Sequence, residues 1–236
     1  MTQRPMLALA ALITGDVLLV LIHLLVFSRD EPSQLLSALF GLDREANLPT
    51  WYSSTQLLLA GVCLLWAGTR ANRTEGRPSR LLLLAGATFV FLSADEASSI
   101  HESITYVLRR FDELPRFQGD HGMWIPLYGM LGAVGLLAGR PLLGWIAREH
   151  RRAGGYLLAG ALSFCGGAVV LEIISYGWLR THEAARLYSL EVAAEEGLEL
   201  LGASLLLFGC RQLASPRPCD ESAGPVGGPP PVAGHR

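Results

Sequence analysis

Carboxylates and histidines recur inside segments that are otherwise apolar enough to cross a bilayer: Asp16 and His23, then Asp95, Glu96, His101 and Glu102, then Glu172, then Glu191, Glu195, Glu196 and Glu199. A carboxylate at bilayer depth costs at least about 2.5 kcal/mol on insertion scales, so such a set calls for a cation, a proton or a water cavity. Neutral histidine with several carboxylates is a ligand set for zinc, iron or manganese, and metal sites in helix bundles are assembled from side chains on facing helices. These residue types predict a divalent-metal centre, zinc favoured over iron or manganese, with Asp95, His101, Glu102, Glu172, Glu199 and His121 as ligands. Glu96 and Glu195 remain to take a proton from water, the catalytic carboxylates of a metal-dependent hydrolase acting on a lipid or amphiphile. An iron or manganese version would instead oxidise its substrate.

The elements that position these residues follow from composition. Half of the 236 residues are hydrophobic and 17% are charged, against about 25% charged in a soluble domain. At about 20 apolar residues per crossing, the chain divides into six spans: Leu7 to Phe27, Trp51 to Gly68, Arg80 to Glu102, Trp124 to Gly139, Gly155 to Leu179, and Tyr188 to Leu213. The fold class is therefore all-α, a polytopic membrane bundle occupying residues 1–213. Residues 214–236, rich in Pro and Gly, cannot pack a core and read as a disordered cytoplasmic tail. Arg4 followed by an apolar run resembles a secretory leader, but the run continues past Asp16 to Phe27 without a convincing cleavage site and reads as a retained first span.

Arginines set the orientation. Arg70, Arg73, Arg77 and Arg80 crowd the second connection and Arg140, Arg148, Arg151 and Arg152 the fourth, which makes these connections and both termini cytoplasmic by the positive-inside rule. The expected location is the bacterial cytoplasmic (inner) membrane. Asp95 to Glu102 then lie at the outer end of the third span and Glu191 to Glu199 in the outer half of the sixth, with Glu172, His23 and His121 near the same depth. At 100° per residue, Asp95, Ser98, Ser99 and Glu102 share a stripe, and Glu191, Glu195 and Glu199 form a ladder over two turns. Cys165, Glu172, Ser175 and Tyr176 share a third stripe on the fifth span.

Several chemistries are excluded. The chain has no lysine among its 19 basic residues, which removes lysine Schiff-base chemistry and a Walker phosphate loop. His101-Glu102-Ser103-Ile104-Thr105 lacks the second histidine of the metalloprotease helix, and the spans hold neither Glu-x-x-His nor Gly-x-Ser-Gly. The four cysteines read as free thiols. Membrane lipids or a lipid-like substrate are the expected partners, with no nucleic acid; the oligomeric state is open. The same acids would also suit a proton- or cation-coupled transporter or channel, or a non-catalytic assembly subunit whose carboxylates meet a partner's arginines. Taken singly, Asp16 reads as hydrogen-bonded to a neighbouring helix, His23 as a wet interfacial histidine, and Gly135 and Gly139 as a close helix-packing pair.

Overall fold

The computed structural model describes residues 3–28, 33–71, 78–111, 122–175 and 185–215, and among these every regular element is helical. The helices are α1 (Gln3–Phe27), α2 (Gln34–Phe40), α3 (Leu48–Ala71), α4 (Ser79–Ser98), α5 (Ile100–Leu108), α6 (Trp124–Ala138), α7 (Arg140–Glu149), α8 (Arg151–Cys165), α9 (Glu172–Ile174) and α10 (Ala185–Ala214), with a π-helical segment, Gly166–Leu171, joining α8 to α9. His121, Tyr176 and the proposed tail from residue 216 onward lie outside the described residues.

Helix α10 is the hub, packing against α1, α3, α8 and the π segment, while α3 also packs along α4. Glycines let these helices approach. A Cβ at Gly61 or at Gly86 would stand 2.9 Å from the other's carbonyl oxygen across α3 and α4, and one at Gly202 would stand 2.6 Å from Phe164 N across α10 and α8. Ser93 Oγ donates to Ser54 O at 2.7 Å and Ser163 Oγ to Leu198 O at 2.8 Å, adding cross-helix ties to contacts that small residues make possible in bundles of this kind. One buried apolar cluster centres on Ala60, Leu64, Leu82, Leu207 and Cys210; a smaller one joins Leu42, Val192 and Leu200.

Against six predicted crossings, length and composition mark three helices among the described residues as apolar enough to span a membrane, Pro5–Phe27, Ser79–Ser98 and Arg151–Ile174, and a fourth if α6 and α7, bent by 60°, are one broken span. The other two predicted crossings are α3 and α10, of 24 and 30 residues. Their apolar character is diluted by Ser53, Ser54 and Gln56 on α3 and by Glu191 and Glu195 on α10, all buried. The helices with the strongest apolar signal are those that turn leucines outward, such as Leu18, Leu25, Leu84, Leu158 and Leu162.

Two local departures bear on function. The predicted third span stops at Ser98: Ser99 is left-handed, with φ 49° and ψ 44°, and His101 and Glu102 belong to α5. A single 100° stripe from Asp95 to Glu102 therefore does not exist. The second departure is α6, where a Cβ at Gly129, Gly132 or Gly135 would meet nothing within 4 Å. The Gly135 and Gly139 pair packs against no other described helix.

Candidate functional site

The turn between α4 and α5 is built by Asp95, which is buried. Its backbone carbonyl accepts the Ser99 N–H, and its side-chain Oδ1 accepts the His101 N–H at 2.8 Å. The same Oδ1 lies 3.4 Å from His101 Nδ1. One carboxylate thus caps the new helix and fixes its first histidine, the chemistry expected of an acidic side chain at a helix N-terminus. The edge of the His101 ring meets Trp124 at a centroid distance of 5.1 Å, and Trp124 N donates to Thr105 Oγ1 at 3.2 Å, which ties α6 to α5.

Opposite this turn stands the loop between α2 and α3. Asn47 organises it: its Oδ1 accepts the Thr50 N–H at 3.0 Å, capping α3, while its Nδ2 donates to Arg44 O at 2.6 Å. His23 holds the other side of the loop, accepting the Leu42 N–H on Nδ1 at 3.1 Å while its Nε2 faces Ser189 Oγ at 3.4 Å. With 1% of its surface exposed, His23 is a tether joining α1, the loop and α10, and not a wet interfacial side chain. The tethered loop delivers Glu45. Glu45, His101 and Glu102 offer ligand atoms that all lie within 4.8 Å of one another.

Charge is crowded at this mouth. Glu45 is exposed as a residue, but desolvation around its carboxylate, with repulsion from Glu96 and Glu102, raises it from an ordinary 4.5 to about 7. For His101, burial opposes the charged form, yet hydrogen bonding and attraction from Asp95, joined by Glu45 and Glu102, hold it above its ordinary 6.5. A cavity of about 370 Å³ opens beside these groups, lined by His101, Glu102, Tyr106, Arg109, Trp124 and Glu172 among others.

Behind the mouth the acids continue inward. Ser53 Oγ on α3 donates to Glu96 Oε1 at 2.7 Å. Glu96, Glu45 and Glu172 all lie within electrostatic reach of Glu196, and Glu96, Glu195 and Glu172 within reach of Glu199. The carboxyl groups of Glu172 and Glu195 face each other across α9 and α10. Gly167, within the π segment, lets the two elements come this close: a Cβ there would stand 2.5 Å from Glu195 O and 2.7 Å from Glu199 Cγ. A π-helical break beside functional groups is a recurrent device for aiming side chains.

Of the residues singled out in the sequence, the fold gathers Glu96, His101, Glu102, Glu172, Glu195 and Glu199 around one axis, with Asp95 behind His101 in a supporting position. His121 lies outside the described residues. Glu45 is the residue that reasoning from apolar segments misses, because it sits in a connection. Glu191, towards the N-terminal end of α10, is buried with both carboxylate oxygens lacking a hydrogen-bond partner.

A family model described as a domain of unknown function, DUF8692, matches residues 6–213. No curated protein and no solved structure matches the chain.

Proposed function

We propose that this chain, which belongs to the DUF8692 family, is a bacterial inner-membrane protein that binds a divalent metal, zinc first, at the outer mouth of its helix bundle and uses it to hydrolyse a lipid or amphiphile. The observation carrying this reading is the triad of Glu45, His101 and Glu102, with ligand atoms inside a 4.8 Å radius of one another. Support comes from Asp95: a carboxylate beside Nδ1 orients the imidazole so that Nε2 is the nitrogen presented outward, the usual arrangement behind a metal-binding histidine. Glu172, across the same cavity, supplies a further oxygen. A divalent ion held there would polarise an ester or amide carbonyl and lower the pKa of a water.

This chain's own groups would do the rest. Trp124 and Tyr106 give the cavity apolar walls for an acyl chain, and Arg109 gives it positive charge for a phosphate or carboxylate headgroup. Glu96, held by Ser53 and within electrostatic reach of Glu45 and His101, is the proton acceptor beside the triad, and Glu195, facing Glu172, is the deeper one. The topology belongs to the same proposal: α3 and α10, about 36 and 45 Å long at 1.5 Å per residue, cross with the apolar helices and the α6–α7 pair to make six spans with both termini cytoplasmic.

The inward continuation of carboxylates from Glu96 to Glu199 favours a second reading, cation or proton transport along the bundle axis. Turnover separates the two. Zinc-loaded protein in vesicles of phosphatidylglycerol and phosphatidylethanolamine doped with N-acyl lipids is expected to release a hydrolysis product detectable by mass spectrometry, lost in Glu96→Gln and in His101→Ala. Stoichiometric zinc without any product would contradict the hydrolase and favour transport.

A further inference from the structure

A second polar group lies deeper, between the two apolar clusters, and the carboxylate site does not use it. Asp16 on α1 is 3% exposed and Gln56 on α3 is 2% exposed, while Ser204 on α10 is fully enclosed. The side chains facing the Asp16 carboxylate are those of Ser204, Gln56 and Tyr52. Gly15 leaves room for this: a Cβ there would stand 2.6 Å from Tyr52 Oη.

The hydrogen-bond inventory of this pocket does not balance. Tyr52 spends its proton on Leu12 O at 2.9 Å, so towards Asp16 its oxygen offers only lone pairs. Gln56 donates through Nε2 to Ser204 Oγ at 3.0 Å, while Gln56 Oε1 and both Asp16 oxygens have no hydrogen-bond partner. Two carboxylate oxygens, an amide oxygen and a phenolic oxygen thus converge with the Ser204 hydroxyl and the second Nε2 proton of Gln56 as the remaining donors among them, and neither donor bonds an Asp16 oxygen. Unpaired buried acceptors of this kind carry a desolvation cost unless a ligand satisfies them.

We propose that Asp16, Gln56, Tyr52 and Ser204 form a buried site for a monovalent alkali cation of the sodium class. Oxygen ligands suit hard cations. The single carboxylate selects the charge, because a divalent ion would leave net positive charge in apolar surroundings formed by Leu12, Ala60 and Leu207 on one side and Leu19, Val20 and Leu200 on the other. Residues of three helices supply the ligands, so the ion would fasten α1, α3 and α10 together below the carboxylate site. It is separate from the divalent site, which uses the α2–α3 loop and α5.

The test is radioactive sodium binding to the full chain in detergent after an EDTA wash, at constant ionic strength set with choline chloride. Saturable binding is expected in the wild type and in the His101→Ala, Glu102→Gln double variant, at least tenfold weaker in the isosteric Asp16→Asn, and weakened in Gln56→Leu and Ser204→Ala. A melting temperature that rises with sodium in the wild type and not in Asp16→Asn would support the same conclusion by mass action. Absence of saturable sodium binding in the wild type overturns the proposal, as does binding unchanged by Asp16→Asn. If Asp16→Asn does not fold, unchanged binding in both Gln56→Leu and Ser204→Ala overturns it. Sodium-independent stability that responds only to pH would overturn it in favour of a protonated Asp16.

Discussion

Asp95 is the residue whose role changes most between sequence and structure. Its type and position suggest a ligand, but the left-handed Ser99 turns the chain so that Asp95 supports His101 from behind. Substituting Asp95→Asn keeps the cap acceptor and removes the charge, so zinc affinity measured by competition titration is expected to fall about 10–100-fold with the helical content unchanged. Glu45 makes a prediction about metal-free protein. Its carboxyl is raised from 4.5 to about 7, so the folded state holds a proton that the unfolded state has lost, and this contribution to stability is present below pH 4.5 and disappears as pH rises to about 7. Metal-free Glu45→Gln should therefore show a flatter melting-temperature profile over that window than the wild type. His101 adds a decline of the same sign that begins at about 6.5, its ordinary value, and is completed as pH rises through its raised value in the folded chain. The acids of the bundle were legible in the sequence because each interrupts an apolar run. Glu45 was not, since nothing in a polar connection marks one acid above its neighbours; Asn47 before Leu48 and Pro49, a helix N-cap signature, would have placed Glu45 at the mouth of α3.

Among the elements, the contrast between α10 and α6 explains why composition predicts membrane helices unevenly. Helix α10 carries four glutamates yet sits at the centre, packed on α1, α3 and α8, whereas α6 is apolar throughout most of its length and stands largely apart. Mean hydropathy counts apolar side chains, so it finds the helices around the rim and underrates the polar ones they enclose. Glycine spacing has the same limit: Gly135 and Gly139 match a packing pattern without a described partner, while Gly202 has one. Introducing a methyl at Gly202 forces it against Phe164 N, and Gly202→Ala is expected to destabilise the protein by about 1–3 kcal/mol in denaturant titration. Gly132→Ala, facing open space, is expected to be neutral. The helix break at Ser99 and the π segment at Gly166–Leu171 lie beyond periodicity arguments, which assume a constant 100° per residue.

At the scale of the whole molecule, the chain is a helical bundle with two polar groups inside it, one running from Glu45, His101 and Glu102 to Glu96 and the α10 glutamates, the other around Asp16. The proposed topology places that mouth outside and the junction of α7 with α8 inside. Single cysteines in a background lacking Cys63, Cys165, Cys210 and Cys219 test it: Ser103→Cys should react with an impermeant maleimide on intact spheroplasts, and Arg148→Cys only after lysis. Equal labelling at both positions before lysis would contradict six spans in this orientation. The central claim is the metal, and elemental analysis by inductively coupled plasma mass spectrometry on protein purified in detergent without chelators tests it most directly. The account predicts zinc at one per chain, or iron or manganese in its place, lost from a folded His101→Ala, Glu102→Gln double variant. Folded wild-type protein free of transition metal, and unable to take up zinc on reconstitution, would contradict it.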